Sequence, residues 1–261
     1  MSYTTINYEK RDRVGLVTFN RPEIHNAFNS TLIREMLRLF DEIGKDDKLR
    51  LVVITGEGKS FCAGADLNWM RSVITQSFEE NLAESNELAD LFYKIYAFKR
   101  PVIGKINGAA IGGGTGFVAV CDIAIAARSA KFSFSEVKIG VVPACIGPYV
   151  IKKMGEGKAR ELFITGERMN AERAFEVGLV NKVVDDDQLD AEVDALVKFV
   201  LSSGPEAVAM AKKLVSEVPG MMPDKFKPYT AEMIARLRVS DEGQEGMDAF
   251  LNKRPPKWAK E

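Results

Sequence analysis

Three consecutive glycines, Gly112, Gly113 and Gly114, constrain this chain more than any other feature. An apolar run, Val102–Ile106, leads into them, and they open an apolar segment that reads as helical. Each glycine loses more chain freedom on ordering than alanine would, so three together are tolerated only where backbone must pass close to something or turn unusually. A helix start also leaves amide N–H groups without partners, aimed outward. The triplet therefore reads either as a place where main-chain donors meet an anionic or polarised oxygen, or as a tight turn with nothing bound.

The rest of the chain frames that triplet. Residues 6–8 and 14–20 alternate around polar residues 9–13, a hairpin signal. Ser30 is the expected N-cap of a helix carrying Leu32, Met36, Leu39, Phe40 and Ile43 on one face. A β-branched run at 51–55 predicts a buried strand closed by Gly56. Ser77 and Glu80 form a capping box for a helix carrying Leu82, Ala89, Phe92, Ile95 and Tyr96. Strands are expected at 122–127, 132–134 and 180–184, and Asn170 should cap a helix that Gly178 stops. Beyond residue 200 no strand signal remains, and Pro223 and Pro228 should break the helical pieces. The reading is an α/β chain with parallel strands over residues 1–200 and a helical region over 201–261.

Composition narrows the classes. With 261 residues, 46% hydrophobic and 28% charged, a net charge of −1 offers no basic field for nucleic acid or an anionic membrane. No apolar run approaches the roughly 20 residues that span a bilayer. The polar first eight residues lack the layout of a signal peptide. Cys62, Cys121 and Cys145 fit neither a disulfide framework nor a zinc pattern, which points to a reducing cytosol. One histidine, His25, rules out a histidine-rich metal centre.

Several chemistries compete with plainer roles. A dinucleotide motif counted from Gly112 fails at Phe117; counted from Gly114 it would start inside the helix, and no P-loop follows. Backbone amides from residues 63–66 and 112–114 could converge on one carbonyl oxygen as an oxyanion hole. Glu136, just past an apolar strand, would have its pKa raised by desolvation and could move protons near neutrality; the plainer alternative pairs it with Lys131 or Lys138 on the surface. Asp66 reads as a helix N-cap, His25 as a loop residue, Trp69 and Met70 as pocket or core.

Taken jointly, Phe61-Cys62-Ala63-Gly64-Ala65-Asp66-Leu67, Asn107-Gly108 with the glycine triplet, Cys121-Asp122-Ile123 and Ser135-Glu136-Val137 with Gly140 and Pro143 resemble the enoyl-CoA hydratase/isomerase (crotonase) family. Asn20-Arg21-Pro22 with Asn26-Ala27, and Glu245-Gly246 with Phe250 and Lys253-Arg254, agree. The resemblance implies a spiral of ββα units with a C-terminal helical trimerisation region. It implies an acyl-CoA thioester substrate, no cofactor beyond the coenzyme A of that substrate, and a homotrimer or hexamer. The thioester oxygen would take the amides of Ala65 and Gly113, and Glu136 would be the acid/base. Coenzyme A would lie along Ile24, His25, Ala27, Ala63, Asp66, Leu67 and Asn68. Gly112, Gly116, Pro143, Ala144, Phe250 and Lys253 would be further substrate contacts.

One place departs from the pattern. Hydratases of the family carry a first glutamate where this chain has Gly116. One carboxylate suits an isomerase that moves a proton from C2 to C4. Yet residues 60–70 and 135–150 resemble a bacterial subgroup of methylglutaconyl-CoA hydratases of leucine breakdown. The expectation is a hydratase first, an isomerase second, and a non-catalytic acyl-CoA binder as a reading of another class.

Overall fold

The computed structural model describes residues 3–259. Two strands open the chain, β1 (Ile6–Arg11) and β2 (Val14–Phe19), paired antiparallel across a two-residue turn in which Asp12 takes a positive φ of 55°. The polar residues 9–11, expected in the loop, continue the strand. They lie on the edge of the sheet, where charged side chains cost nothing in burial and discourage edge pairing.

Helix α1 (Ser30–Ile43) follows. Its N-cap is Asn29 rather than Ser30: the Asn29 side chain accepts from the Leu32 amide, the same cap chemistry one residue earlier. Next come β3 (Leu51–Gly56), β4 (Ser60–Cys62), α2 (Leu67–Val73) and α3 (Phe78–Tyr96). The capping box of α3 is present as expected, and Phe92 and Ile95 are buried as read, with Leu91 beside them; Leu82 is exposed.

Then β5 (Val102–Ile106), β6 (Ala109–Ile111) and α4 (Gly113–Val120) build the glycine-rich region. The short strand β6, absent from the expectation, separates the apolar strand from the glycines. After β7 (Ile123–Ala127) and β8 (Lys131–Ser133), a short helical turn spans Ser135–Ile139. It is followed by α5 (Gly147–Met154), α6 (Glu156–Thr165), β9 (Arg168–Asn170), α7 (Ala171–Glu176), β10 (Lys182–Val184) and α8 (Leu189–Leu201). The last helices are α9 (Pro205–Glu217), α10 (Pro223–Val239) and α11 (Asp241–Leu251). Pro228 lies inside α10, where a break was expected.

Three times in succession one strand joins a large sheet and the next joins a small one. The large sheet has the order β1-β2-β3-β5-β7-β10 and the small sheet β4-β6-β8-β9. Pairs β3/β5, β5/β7, β4/β6 and β6/β8 are all parallel. This is a spiral of ββα turns. Parallel strands buried on both faces explain why β3 reads as a continuous apolar run.

The chain divides into two compact units. The first runs through Phe98 and again from Val102 to Val193; the second takes Lys99–Pro101 and everything from Asp194 onward. The core of the first unit holds a ring cluster: Phe117 packs on Phe19, Phe28 and Phe92 at centroid distances of 4.9, 5.8 and 5.0 Å. No helix among the described residues is long and apolar enough to cross a membrane.

One buried carboxylate ties the start of the chain to α1. Glu35, 3% exposed, accepts from the amide and hydroxyl of Thr4 (2.8 Å each) and of Thr5 (2.9 and 2.6 Å). Burial alone would raise its pKa, but the four donors outweigh it and hold the carboxyl below its ordinary value. A depressed carboxyl stabilises the fold above its unfolded pKa and loses that contribution as pH falls through the folded one. Glu35→Ala should therefore cost on the order of 2–4 kcal/mol at pH 7 by denaturant unfolding, with the difference from the parent shrinking in acid.

Candidate active site

The site begins where β4 and β6 end side by side. Parallel pairing sets Cys62 opposite Ala110, so the loops that follow both strands emerge at the same edge. Their backbones touch. A β-carbon on Gly114 would lie 2.0 Å from the Cys62 carbonyl oxygen, and one on Gly64 would lie 2.8 Å from that of Ile111. Only glycine permits this approach. Gly112 also holds φ 54° and ψ −125°, a conformation closed to other residues, and so turns the chain into α4.

The two expected donors are framed alike. Ala65 forms a parallel bridge with Phe28, in which the Phe28 amide donates to Gly64 O and the Asp66 amide donates to Phe28 O, both at 2.8 Å. In such a bridge the middle residue's own N–H faces away from the partner strand. Gly113 is the first residue of α4, where no intrahelical acceptor exists. Neither amide donates to any acceptor among the described residues. Each residue is part-open between buried neighbours, Ala65 between Gly64 and Asp66, Gly113 between Gly112 and Gly114. Phe28 touches both loops: its ring would lie 2.6 Å from a β-carbon on Gly113. Trp69 packs on Phe28 at a centroid distance of 5.7 Å, its indole N–H held by Glu84 at 2.9 Å.

Glu136 stands at the start of the helical turn after β8. A β-carbon on Gly112 would lie 3.4 Å from its Oε1. The carboxyl is half-buried, pairs with neither Lys131 nor Lys138, and its buried Oε2 has no hydrogen-bond partner among the described residues. Desolvation pushes its pKa above the ordinary 4.5. Thus a lone acid of raised pKa lies beside the glycine turn that presents one of the two free amides.

The other expected positions sort by what they offer. Ala63 donates to His25 O at 3.0 Å, which ties the two segments expected along coenzyme A. His25 is exposed, with positive φ, and its Nδ1 lies 3.1 Å from Ser60 Oγ. Ile24 is half-buried and Ala27 buried; Leu67 and Asn68 are exposed. Asp66 caps α2, as its plainer reading held, and both oxygens are engaged: Oδ1 accepts from Asn68 N at 2.7 Å and Oδ2 from Arg21 Nη2 at 2.7 Å. Its carboxylate is thus tied within the protein. Pro143 is buried and Ala144 exposed. Phe250, highly exposed, and Lys253 lie in the second unit.

Gly116 needs correction as a substrate contact. It is buried, its amide donates to Gly112 O, and a β-carbon there would lie 2.2 Å from Ile146 Cγ2 and 3.0 Å from Phe92 Cζ. The space a side chain would need is filled with hydrocarbon. Ile146 and Phe28 carried no signal in the sequence, because each acts through a contact distant along the chain. Arg21 was visible only within a resemblance. Among the described residues no cluster of side chains could hold a metal ion.

Known proteins match nearly the whole chain. Residues 9–261 match the family model described as enoyl-CoA hydratase/isomerase. A crotonyl-CoA hydratase of Syntrophomonas wolfei is 35% identical, with 97% of each chain covered. A short-chain-enoyl-CoA hydratase of Clostridium acetobutylicum is 32% identical, again covering 97% of each. The crystal structure of an enoyl-CoA hydratase from Shewanella pealeana superposes with a TM-score of 0.94 at 39% identity, over 98% of this chain and 96% of that one.

The filled space beside Gly116 has a measurable consequence. Gly116→Ala should cost about 1–3 kcal/mol through overpacking. Ile146→Ala alone should cost roughly 2–5 kcal/mol through the cavity it leaves. In the double variant the new methyl enters that cavity, so denaturant unfolding should return a total well below the sum.

Proposed function

Because the chain belongs to the enoyl-CoA hydratase/isomerase family, we propose that it adds water across the C2=C3 bond of an enoyl-CoA thioester using one carboxylate. The observation that carries this reading is the lone Glu136, its buried Oε2 without a partner, beside a glycine turn whose amide, with that of Ala65, is open to an oxygen ligand.

The chemistry closes with one acid. Water attacks C3 while the Glu136 carboxylate takes one of its protons. The C2=C3 electrons move to form a C1=C2 enolate, and charge collects on the thioester oxygen. The Ala65 and Gly113 amides would stabilise that charge, each worth about 3–4 kcal/mol where such donors have been removed one at a time. The enolate then takes the proton back from the Glu136 carboxyl at C2, which restores the thioester and the carboxylate. Hydroxyl and hydrogen arrive on the same face, because one group handles both. A raised pKa suits this double use, since a carboxyl poised nearer neutrality both accepts and returns a proton.

The absence of a second acid favours a second reading, an isomerase in which Glu136 takes a proton from C2 and returns it at C4. The acyl group belongs with the proposal as well: a branched or methylglutaconyl-type acid, as the sequence suggested. Exposed Phe199, Val215, Val239, Phe250 and Leu251 on the helices of the second unit support a homotrimer or hexamer. The lack of a disulfide at Cys62, Cys121 and Cys145 supports a cytosolic setting.

Glu136→Gln should lower kcat by about 10²–10⁴-fold while acyl-CoA binding persists. Mass-spectrometric product analysis of both proteins with crotonyl-CoA, methylglutaconyl-CoA and a 3-enoyl-CoA makes the test. Turnover of the 3-enoyl substrate alone assigns the isomerase, and tight binding without product from any of the three assigns a binder. Full activity in the variant would remove Glu136 from the chemistry.

The pH dependence carries a sign. The base form is required, so kcat/KM of the parent should rise through an acid limb lying above 4.5. A raised carboxyl disfavours its own ionisation in the fold, so stability falls as pH rises through the folded pKa. Glu136→Gln should therefore melt higher than the parent above that limb, with the gain vanishing in acid.

A further inference from the structure

Behind the Ala65 amide lies a group that the proposed chemistry does not use. The Arg21 guanidinium spans the two sides of the Phe28/Ala65 bridge. Its Nη1 donates to Ala27 O at 2.6 Å and its Nη2 to Asp66 Oδ2 at 2.7 Å. The two side chains of this ion pair are 16% and 8% exposed. Asn26, fully buried, fixes the base of the arginine. Its Oδ1 accepts from Arg21 N at 2.9 Å, its own N–H donates to Arg21 O at 2.8 Å, and its Nδ2 donates to Glu57 O and Ser60 O. One network therefore joins the loop before α1, the start of β4 and the first residue before α2.

Ala65 is the residue immediately before Asp66, so this network borders its amide directly. Two effects follow. The bridge and the clamp together fix where the Ala65 N–H points. An unneutralised carboxylate on the residue next to Ala65 would also oppose negative charge collecting at that amide, in a setting with little water to screen it.

We propose that Arg21 is a positioning residue of the oxyanion site: it holds the Ala65 amide in place and cancels the Asp66 charge beside it. The proposal rests on the oxyanion reading above. It assigns Asp66 a helix-capping duty that would be harmful to catalysis without its arginine. Both terminal nitrogens of the Arg21 guanidinium are spent on Ala27 and Asp66, so its loss should show in the polarisation of the thioester and not chiefly in affinity.

The probe is butanoyl-CoA labelled with ¹³C at the thioester carbon, its carbonyl stretch read by isotope-edited infrared spectroscopy on the bound complex. In the parent protein binding should lower that frequency. Arg21→Met should lose most of the lowering, and kcat should fall roughly 10- to 100-fold, the scale on which a small misplacement of a catalytic donor acts. Butanoyl-CoA affinity should change little. Asp66→Asn, which still caps α2, should keep the lowering, because Arg21 remains. The double variant should regain part of what Arg21→Met loses.

A clamp that is merely structural would make both single variants lose the shift alike, and that result overturns the proposal. So does an Arg21→Met protein with the parent's frequency and kcat. Where Arg21→Met does not fold, Arg21→Lys carries the test: one ammonium cannot span Ala27 and Asp66 as the guanidinium fork does, so an intermediate shift is expected and the parent's shift overturns the proposal. If the parent itself leaves the carbonyl unshifted, the oxyanion reading is what fails.

Discussion

The carbonyl oxygen of Cys62 lies 2.0 Å from where a β-carbon on Gly114 would be, and that contact decides how closely the two site loops can meet. The close approach is backbone against backbone. No rotamer change can relieve it, so any side chain at Gly114 would drive β4 and α4 apart. The parallel pairing of β4 with β6 brings the loops to the same edge of the small sheet, and the glycines then let them touch. The open amide of Ala65, the open amide of Gly113 and the nearby carboxyl of Glu136 all inherit their positions from this contact. It also places the site outside the carboxyl ends of parallel strands, where α/β sheets offer their loops to ligands.

The polarity of the site comes mostly from main chain. Amide donors carry no titratable charge, so they hold their sign at every working pH and need no reorganisation when charge develops in front of them. Titratable groups around them are either tied or singular. Burial would raise the Asp66 carboxyl, but the Asn68 amide and Arg21 outweigh it and keep the group ionised below its ordinary range. Glu136 has no such partners, and desolvation raises it. Two carboxylates of one small site are thus driven in opposite directions, one by its hydrogen bonds to a fixed structural charge and the other by burial to a mobile proton. A buried carboxylate oxygen without a partner costs stability, and such a cost is commonly retained where function requires it.

Much of this was legible where the signal was local. The capping box of α3 and the apolar stripe of α1 are carried by residues three or four apart, and both stand as read. Features set by distant contacts were not legible. Strand β6 has only three residues and exists because β4 and β8 flank it. Leu82 fits the helical period of α3 yet remains exposed, since periodicity names a face without naming what covers it. Pro228 sits within the second turn of α10, where a proline forgoes one helix hydrogen bond, so the helix continues through a residue that by itself reads as a breaker. In the site, the chemistry-bearing types were visible as Gly112–Gly114 and Glu136. Their meeting with residues 63–66 was not, because it depends on strand pairing between segments far apart in the chain.

The side of the site where the family resemblance leads one to expect a second acid is made of hydrocarbon here. Ile146 Cγ2 and Phe92 Cζ close on Gly116, and both residues are buried. Introducing a glutamate at 116 would therefore not convert this site into a two-acid one: the new carboxylate would be forced between two apolar side chains, where its charged form is strongly disfavoured. The single-acid state is a property of packing across three segments, α3, α4 and the turn before α5, and not of one missing side chain. A chemistry that needs two acids at once is excluded by that packing at this position, whereas one that passes a single proton out of and back into Glu136 is permitted. Hydration and isomerisation both meet that condition: the first takes its proton from water and returns it at C2, the second takes it from C2 and returns it at C4. The choice between them thus falls to what holds the substrate's far end and whether a water can stand beside Glu136, which is a question of cleft shape and no longer of acid count.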